Sequence, residues 1–244
     1  MYLDLDAANG HWANGDHIWT NEDGTAPLAA LPGDEIGIIR VNPGESATVE
    51  LDTFLFDTTA GGLTLESGDF TLRQGTLAPG WMVSHLAFSV AEGARFEIYS
   101  DIDGDIQVNR YSADPNAGNG DLALLGRTDG DIVNDGRLRL GGEHNGTVQN
   151  SNWLDIQGEV NDDVTNTGTV TLSGGTIAGA LDNSGEVVVS DDSHVDDLVN
   201  NENGQVTISA DQTLTVDSVV LNAGVISLSG RLDGSVETSG TGRL

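Results

Sequence analysis

The chain has no cysteine and no lysine: all 9 basic residues are arginine, set against 39 Asp plus Glu for a formal net charge of −30. The first absence excludes disulfides, thiolate metal sites and cysteine nucleophiles together. The second removes lysine chemistry, including the Lys-to-Asn isopeptide bond that strengthens many surface fibres. A surface this acidic repels phosphate backbones and anionic lipid, so neither nucleic acid nor a membrane surface is an expected partner. It stays soluble in salt, where the screening length falls to roughly 3 Å near 1 M, as suits a protein secreted into saline water.

Long apolar runs are missing as well. No stretch approaches the roughly 18 apolar residues of a membrane-spanning helix, and Met1-Tyr-Leu-Asp4 lacks the basic start and apolar segment of a signal peptide. The expectation is an extracellular or cell-surface protein given as a mature form or excised segment, its address lying outside this chain. No stretch shows convincing helical periodicity either, which points to a nearly all-β fold.

What is present is a repeat. Between Thr128 and Leu244 one block recurs about every 16 to 21 residues, clearest as Ile177-Ala-Gly-Ala-Leu181-Asp-Asn183-Ser-Gly185-Glu-Val187-Val-Val189. Its corners read Asn134-Asp-Gly136, Asn150-Ser-Asn152, Asn166-Thr-Gly168, Asn183-Ser-Gly185, Asn203-Gly204, Asn222-Ala-Gly224 and Thr238-Ser-Gly240. Apolar pairs follow two residues after each corner: Leu138/Leu140, Leu154/Ile156, Val170/Leu172, Val187/Val189, Val206/Ile208 and Ile226/Leu228. Such alternation predicts a strand with one buried face. A second, shorter strand precedes each corner, with inward positions at Ile132, Val148, Val160/Val164, Ile177/Leu181, Val195/Val199, Val216/Val220 and Leu232/Val236.

Each block is therefore one coil of a right-handed parallel β-helix. A single coil buries too few apolar side chains to offset the entropy of ordering its backbone, so coils persist only as a stacked array. At the corners, Gly supplies a positive φ and Asn152 stands in at the one corner without it. Stacking also places the corner Asn residues above one another, where their amides form a structural ladder and not a binding site.

The remaining chain divides in two. Residues 1–45 read as an N-terminal cap in which Trp12 and Trp19 plug the first coil; the functional alternative is a glycan-stacking platform made by the same two residues. Residues 46–127 read as wider, less regular coils with bulkier Phe in the interior and a protruding loop at 110–127. The regular coils occupy 128–244, and Thr241-Gly-Arg-Leu244 shows no capping pattern, as expected of a cut within a longer solenoid or of an end covered by another subunit.

Few residues suggest chemistry. Asp101-Ile-Asp103-Gly-Asp105 spaces carboxylates as a Ca²⁺ loop does, yet Ile106 and Ser112 occupy the places where an EF-hand requires Gly and Glu. Asp101, Asp103 and Asp105 are thus a possible metal site or simply the outward face of a strand. No other cofactor is expected. Asp191-Asp-Ser-His194-Val-Asp196-Asp197, with Asp162 and Asp163 on a similar side, reads as a solvated acidic corner with metal or acid/base work as the alternative. His11, Asp16 and His17 in the cap offer metal donors without a third ligand placed by spacing. Arg137 and Arg139 flank Leu138 and point outward, where a cross-coil ion pair with Asp155 is expected.

These repeats, as in Asn166-Thr-Gly168-Thr-Val170-Thr-Leu172 and Asn222-Ala-Gly224-Val-Ile226-Ser-Leu228, resemble the passenger segments of bacterial autotransporters and two-partner-secretion adhesins. Trp12 through Trp19 to Leu31-Pro-Gly-Asp34 is similar to the entry segment that precedes such coils. The resemblance brings no catalytic residues. The chain shows no C-terminal membrane barrel, and its coils of about 16 residues are shorter than the roughly 19 usual in that family. The Gly-x-[Leu/Val] alternation is also similar to bactofilins, although the long N-terminal half does not fit their design. The resemblance implies a structural or adhesive protein without catalysis, whose partners are glycans, a cell surface or, end to end, its own copies. The alternatives are a subunit of a head-to-tail extracellular filament and a polysaccharide-cleaving enzyme relying on Arg137 or Arg139.

Overall fold

A computed structural model describes residues 87–99, 101–110 and 120–244 in full and, before residue 87, the backbone of strands alone. The chain is a parallel β-solenoid without a helix among the described residues. It divides into two compact units, Met1–Asp129 and Gly130–Leu244.

In the first unit, Ile36–Val41, Gly62–Ser67, Trp81–Val90, Ile102–Val108 and Thr128–Asp129 pair successively in parallel. A second set, Ser46–Leu51, Asp69–Gln74, Arg95–Ile98 and Asp121–Leu124, does the same. Trp19–Thr20 is the exception, running antiparallel to Tyr2–Leu5 and Pro27–Leu28. Phe70, Phe96 and Leu122 occupy one register position on three successive strands. Inside, Phe88 and Phe96 meet edge to face with ring centroids 5.7 Å apart, a favoured aromatic geometry. The loop expected over 110–127 is shorter: Gly120 and Leu122 are buried and Asp121–Leu124 is a strand, because Leu122 and Leu124 continue the inward alternation. Residues 111–119 of that loop lie outside the described residues, as does most of the expected cap, including Trp12, His11, Asp16 and His17; Trp19 enters through its backbone only.

In the second unit the apolar columns run in strict register. Leu138, Leu154, Val170, Val187, Val206 and Ile226 form one column, and Leu140, Ile156, Leu172, Val189 and Ile208 the next, each residue no more than 2% exposed. Strict period-2 alternation produces this, since a one-residue slip would turn every apolar side chain to solvent. Leu228 breaks the pattern at 48% exposure, because the second edge of its strand is covered, among the described residues, only at Val225 and Ile226, by Arg243. The first coils carry three short strands where two were expected: Arg137–Leu140, Glu143–Asn145 and Val148–Asn150 are followed by Trp153–Ile156, Glu159–Val160 and Val164–Asn166. From Thr176–Asn183 onward the latter two fuse into one strand with a register break. That irregularity also shifts an inward position by one residue, so Leu198 is buried where Val199 was expected.

Of the corner glycines only Gly240 has the positive φ read in the sequence, at 60°; Gly136, Gly168, Gly185, Gly204 and Gly224 do not. Gly168, Gly185, Gly204 and Gly224 are required by close approach between coils: a Cβ on Gly185 would lie 2.1 Å from the Gly168 carbonyl oxygen, and one on Gly224 would lie 2.2 Å from that of Gly204. At these four positions a side chain would occupy the space of the preceding coil's backbone, whereas Asn152 fits a side chain into the same column by bonding the Asp135 carbonyl.

Candidate functional site

The corner asparagines form a continuous buried ladder. From Nδ2, Asn134 donates to Oδ1 of Asn150 at 2.7 Å, and the same bond at 2.8 Å links Asn150 to Asn166, Asn166 to Asn183, Asn183 to Asn200 and Asn200 to Asn222. Asn166 shows how completely each amide is used. Its two amide hydrogens reach Asn183 Oδ1 and the Glu186 carbonyl, while its Oδ1 accepts from Asn150 Nδ2 and the Gly168 N–H. Burying an amide is tolerable only when its bonds are met in this way, and each ladder Asn is no more than 2% exposed.

Asn203 is not a rung. The expected corner Asn203-Gly204 is displaced: Asn203 is exposed in a turn, and Asn200 takes the ladder position with its Nδ2 bonded to the Gly204 carbonyl. Asn152 lies beside the ladder and donates from Nδ2 to the Asp135 carbonyl at 3.1 Å.

On the other sheet, Arg139 Nε donates to Asp155 Oδ2 at 3.2 Å across adjacent coils, as expected. Asp155 is itself only 4% exposed and accepts further bonds from Gln157 Nε2 and Ser173 Oγ, both at 2.7 Å. Arg137 stacks over the Trp153 ring with its guanidinium carbon 4.3 Å from the centroid, a cation–π contact. Both arginines are thus engaged in holding neighbouring coils together.

The acidic groups that suggested metal chemistry separate. Asp101, Asp103 and Asp105 are exposed on or beside Ile102–Val108, with Ile102 and Ile106 pointing inward between them. The three do not bring their carboxylates within 4.8 Å of one another, the strand register shifts between Asp103 and Asp105, and Asp101 accepts the Arg127 N–H. Asp163 accepts the Ala180 N–H at 2.8 Å, and Asp162 accepts the N–H of its neighbour Asp163. At Asp131 the Thr147 backbone N–H, together with the Thr147 hydroxyl, holds the carboxyl below its ordinary range against a smaller opposing cost of burial.

One group does converge. His194 Nε2 lies 3.1 Å from Asp217 Oδ1 and 3.7 Å from Asp196 Oδ1. Asp217 was not visible in the sequence as part of the His194 cluster because it belongs to the next coil. The signal that places it there is the pairing of Val195 with Val216, directly after which the register shifts.

No family model, curated protein or solved structure matches the chain. A solenoid fold by itself carries no particular activity.

Proposed function

We propose that the chain is a structural or adhesive β-solenoid, exported to the cell surface or the extracellular space and without a catalytic role. The observation that carries this reading is the Asn134-to-Asn222 ladder, in which the buried polar side chains are bonded to the coils that they join. Arg137 and Arg139, the residues that a polysaccharide-cleaving reading would use, are likewise bonded to an adjacent coil. The net charge of −30 and the lack of cysteine suit a protein that must stay soluble and hold its shape outside the cell without disulfides. The stack acts by presenting short, acidic, hydroxyl-rich corners at fixed intervals to glycans or neighbouring cells. A glycan array combined with a cell-adhesion assay tests this: dose-dependent adhesion supports it, and no binding on either platform removes the adhesive role.

A second reading, a head-to-tail filament subunit, is favoured by the last described coil. Val225 and Leu228 are 41% and 48% exposed there, on a strand whose second edge carries, among the described residues, only the short bridge to Arg243. Open edges of this kind accept a further coil, which in a filament belongs to a second copy. Electron microscopy at high concentration distinguishes the two, through filaments or dispersed particles.

A further inference from the structure

Several acidic side chains of the second unit accept from a donor on a neighbouring coil. Asp163 accepts from Ala180, Asp192 from Thr213, Asp182 from Asn201, and Asp197 from Ser218. Asp196 and Asp217 differ. Val195 pairs with Val216 and the register shifts directly after them, leaving Asp196 and Asp217 on adjacent coils facing one imidazole; two like charges on neighbouring strands are an unfavourable juxtaposition. What faces both is the His194 imidazole, two residues before Asp196 on the same strand face. An extra residue in the upper strand, between Val216 and Leu221, follows directly, and bulges of this kind re-aim the side chains beside them.

The three donor atoms lie within 4.8 Å of one another. An ion bound at about 2.1 Å by nitrogen and oxygen ligands holds them roughly 3.0–3.4 Å apart, against the 3.1 and 3.7 Å found from His194. The side chains are 34%, 42% and 66% exposed, leaving room to close by a few tenths of an ångström. His194 also lines an open groove with Thr176, Ser193, Thr213 and Thr215, so the imidazole is reached from solvent. One imidazole with two carboxylates suits a borderline divalent transition cation and disfavours Mg²⁺ and Ca²⁺, which prefer all-oxygen sites.

We propose that His194, Asp196 and Asp217 form a binding site for a divalent transition-metal cation, clipping the coil of Ser193–Asn200 to that of Thr213–Asn222. The cation neutralises the two carboxylates that face the imidazole, with water completing its coordination. This goes beyond the structural reading and stands independently of it.

Calorimetric titration of the full chain with Zn²⁺ tests the site, with H194Q and D217N as variants, D162N as an acidic-surface control and Ca²⁺ as a competitor. The expected result is one saturable Zn²⁺ site, weakened roughly tenfold or more in H194Q and D217N, unchanged in D162N and not displaced by equimolar Ca²⁺. Imidazole ¹⁵N spectra should show a Zn²⁺-dependent shift at His194 Nε2. The outcomes that overturn the proposal are no saturable binding, wild-type affinity in either H194Q or D217N, equal weakening in D162N, displacement by Ca²⁺, or an unmoved Nε2 resonance. Asp162 and Asp217 are exposed and His194 is half-buried, and circular dichroism confirms that each variant is folded.

Discussion

Asn183 donates from Nδ2 to Oδ1 of Asn200 at 2.8 Å, across 17 residues of chain and one coil of the solenoid. Asn183 also bonds the Gln205 carbonyl and receives the Gly185 N–H and the amide of Asn166. Removing it therefore strands donors and acceptors on three coils. Each buried polar group left unmet costs about 1–3 kcal/mol, so N183A should destabilise by about 3 kcal/mol or more in urea unfolding. N203A, at an exposed turn position, should change stability by no more than about 0.5 kcal/mol. Equal costs would mean that the ladder runs through the wrong residue.

The glycine column makes a separate prediction. G185A places a methyl group against the Gly168 carbonyl, and relieving that contact requires the coils to part. The expected cost is about 1–3 kcal/mol, as for overpacking a tight interior. Thermal denaturation of G185A checks it, and an unchanged midpoint would show that the column has slack.

Much of this architecture was legible in the chain, for a physical reason: a period-2 apolar pattern repeated at a near-constant interval leaves only one register in which every apolar side chain is inside. Leu138, Leu154, Val170, Val187 and Val206 were placed by that alone. Asn200 was missed because the corner was read as Asn-x-Gly, while the chain here spells Asn200-Asn-Glu-Asn-Gly204, and Glu202 and Asn203 loop outward. A better signal was available. Each rung follows a buried apolar residue by two, as in Val148 to Asn150, Leu181 to Asn183, Leu198 to Asn200 and Val220 to Asn222. The convergence of Asp217 on His194 depends on pairing between coils of unequal length, and local spacing does not encode that.

The Arg139–Asp155 pair should behave as a partly buried charge interaction. Replacing Arg139 by Met leaves Asp155 with Gln157 and Ser173 alone, at a cost of about 1–3 kcal/mol. In a D155N background the same substitution should cost less than about 0.5 kcal/mol, the difference being the coupling measured by the double-mutant cycle. R137M, which loses only the stacking on Trp153, should cost about 0.5–1 kcal/mol. Additive effects of the Arg139 and Asp155 substitutions would place the ion pair among those that contribute nothing.

Asp131 gives a pH prediction with a definite sign. Its carboxyl is held below the ordinary value by the Thr147 N–H and hydroxyl, so the folded state binds its proton less readily than the unfolded chain. The stabilisation is present above the unfolded carboxylate value and is lost as pH falls through the lower folded one. T147V keeps the backbone N–H but removes the hydroxyl, so the Asp131 titration followed by carboxyl ¹³C NMR should move part of the way upward. An unmoved midpoint would assign the whole effect to the backbone bond.

Side-chain amide exchange tests the central account most directly. If Asn150, Asn166, Asn183 and Asn200 form one buried ladder, their Nδ2 protons should exchange with solvent far more slowly than those of Asn203, and Asn183 should show a nuclear Overhauser contact to Asn200. Rapid exchange at all five residues, or a contact from Asn183 to Asn203 instead, would contradict it.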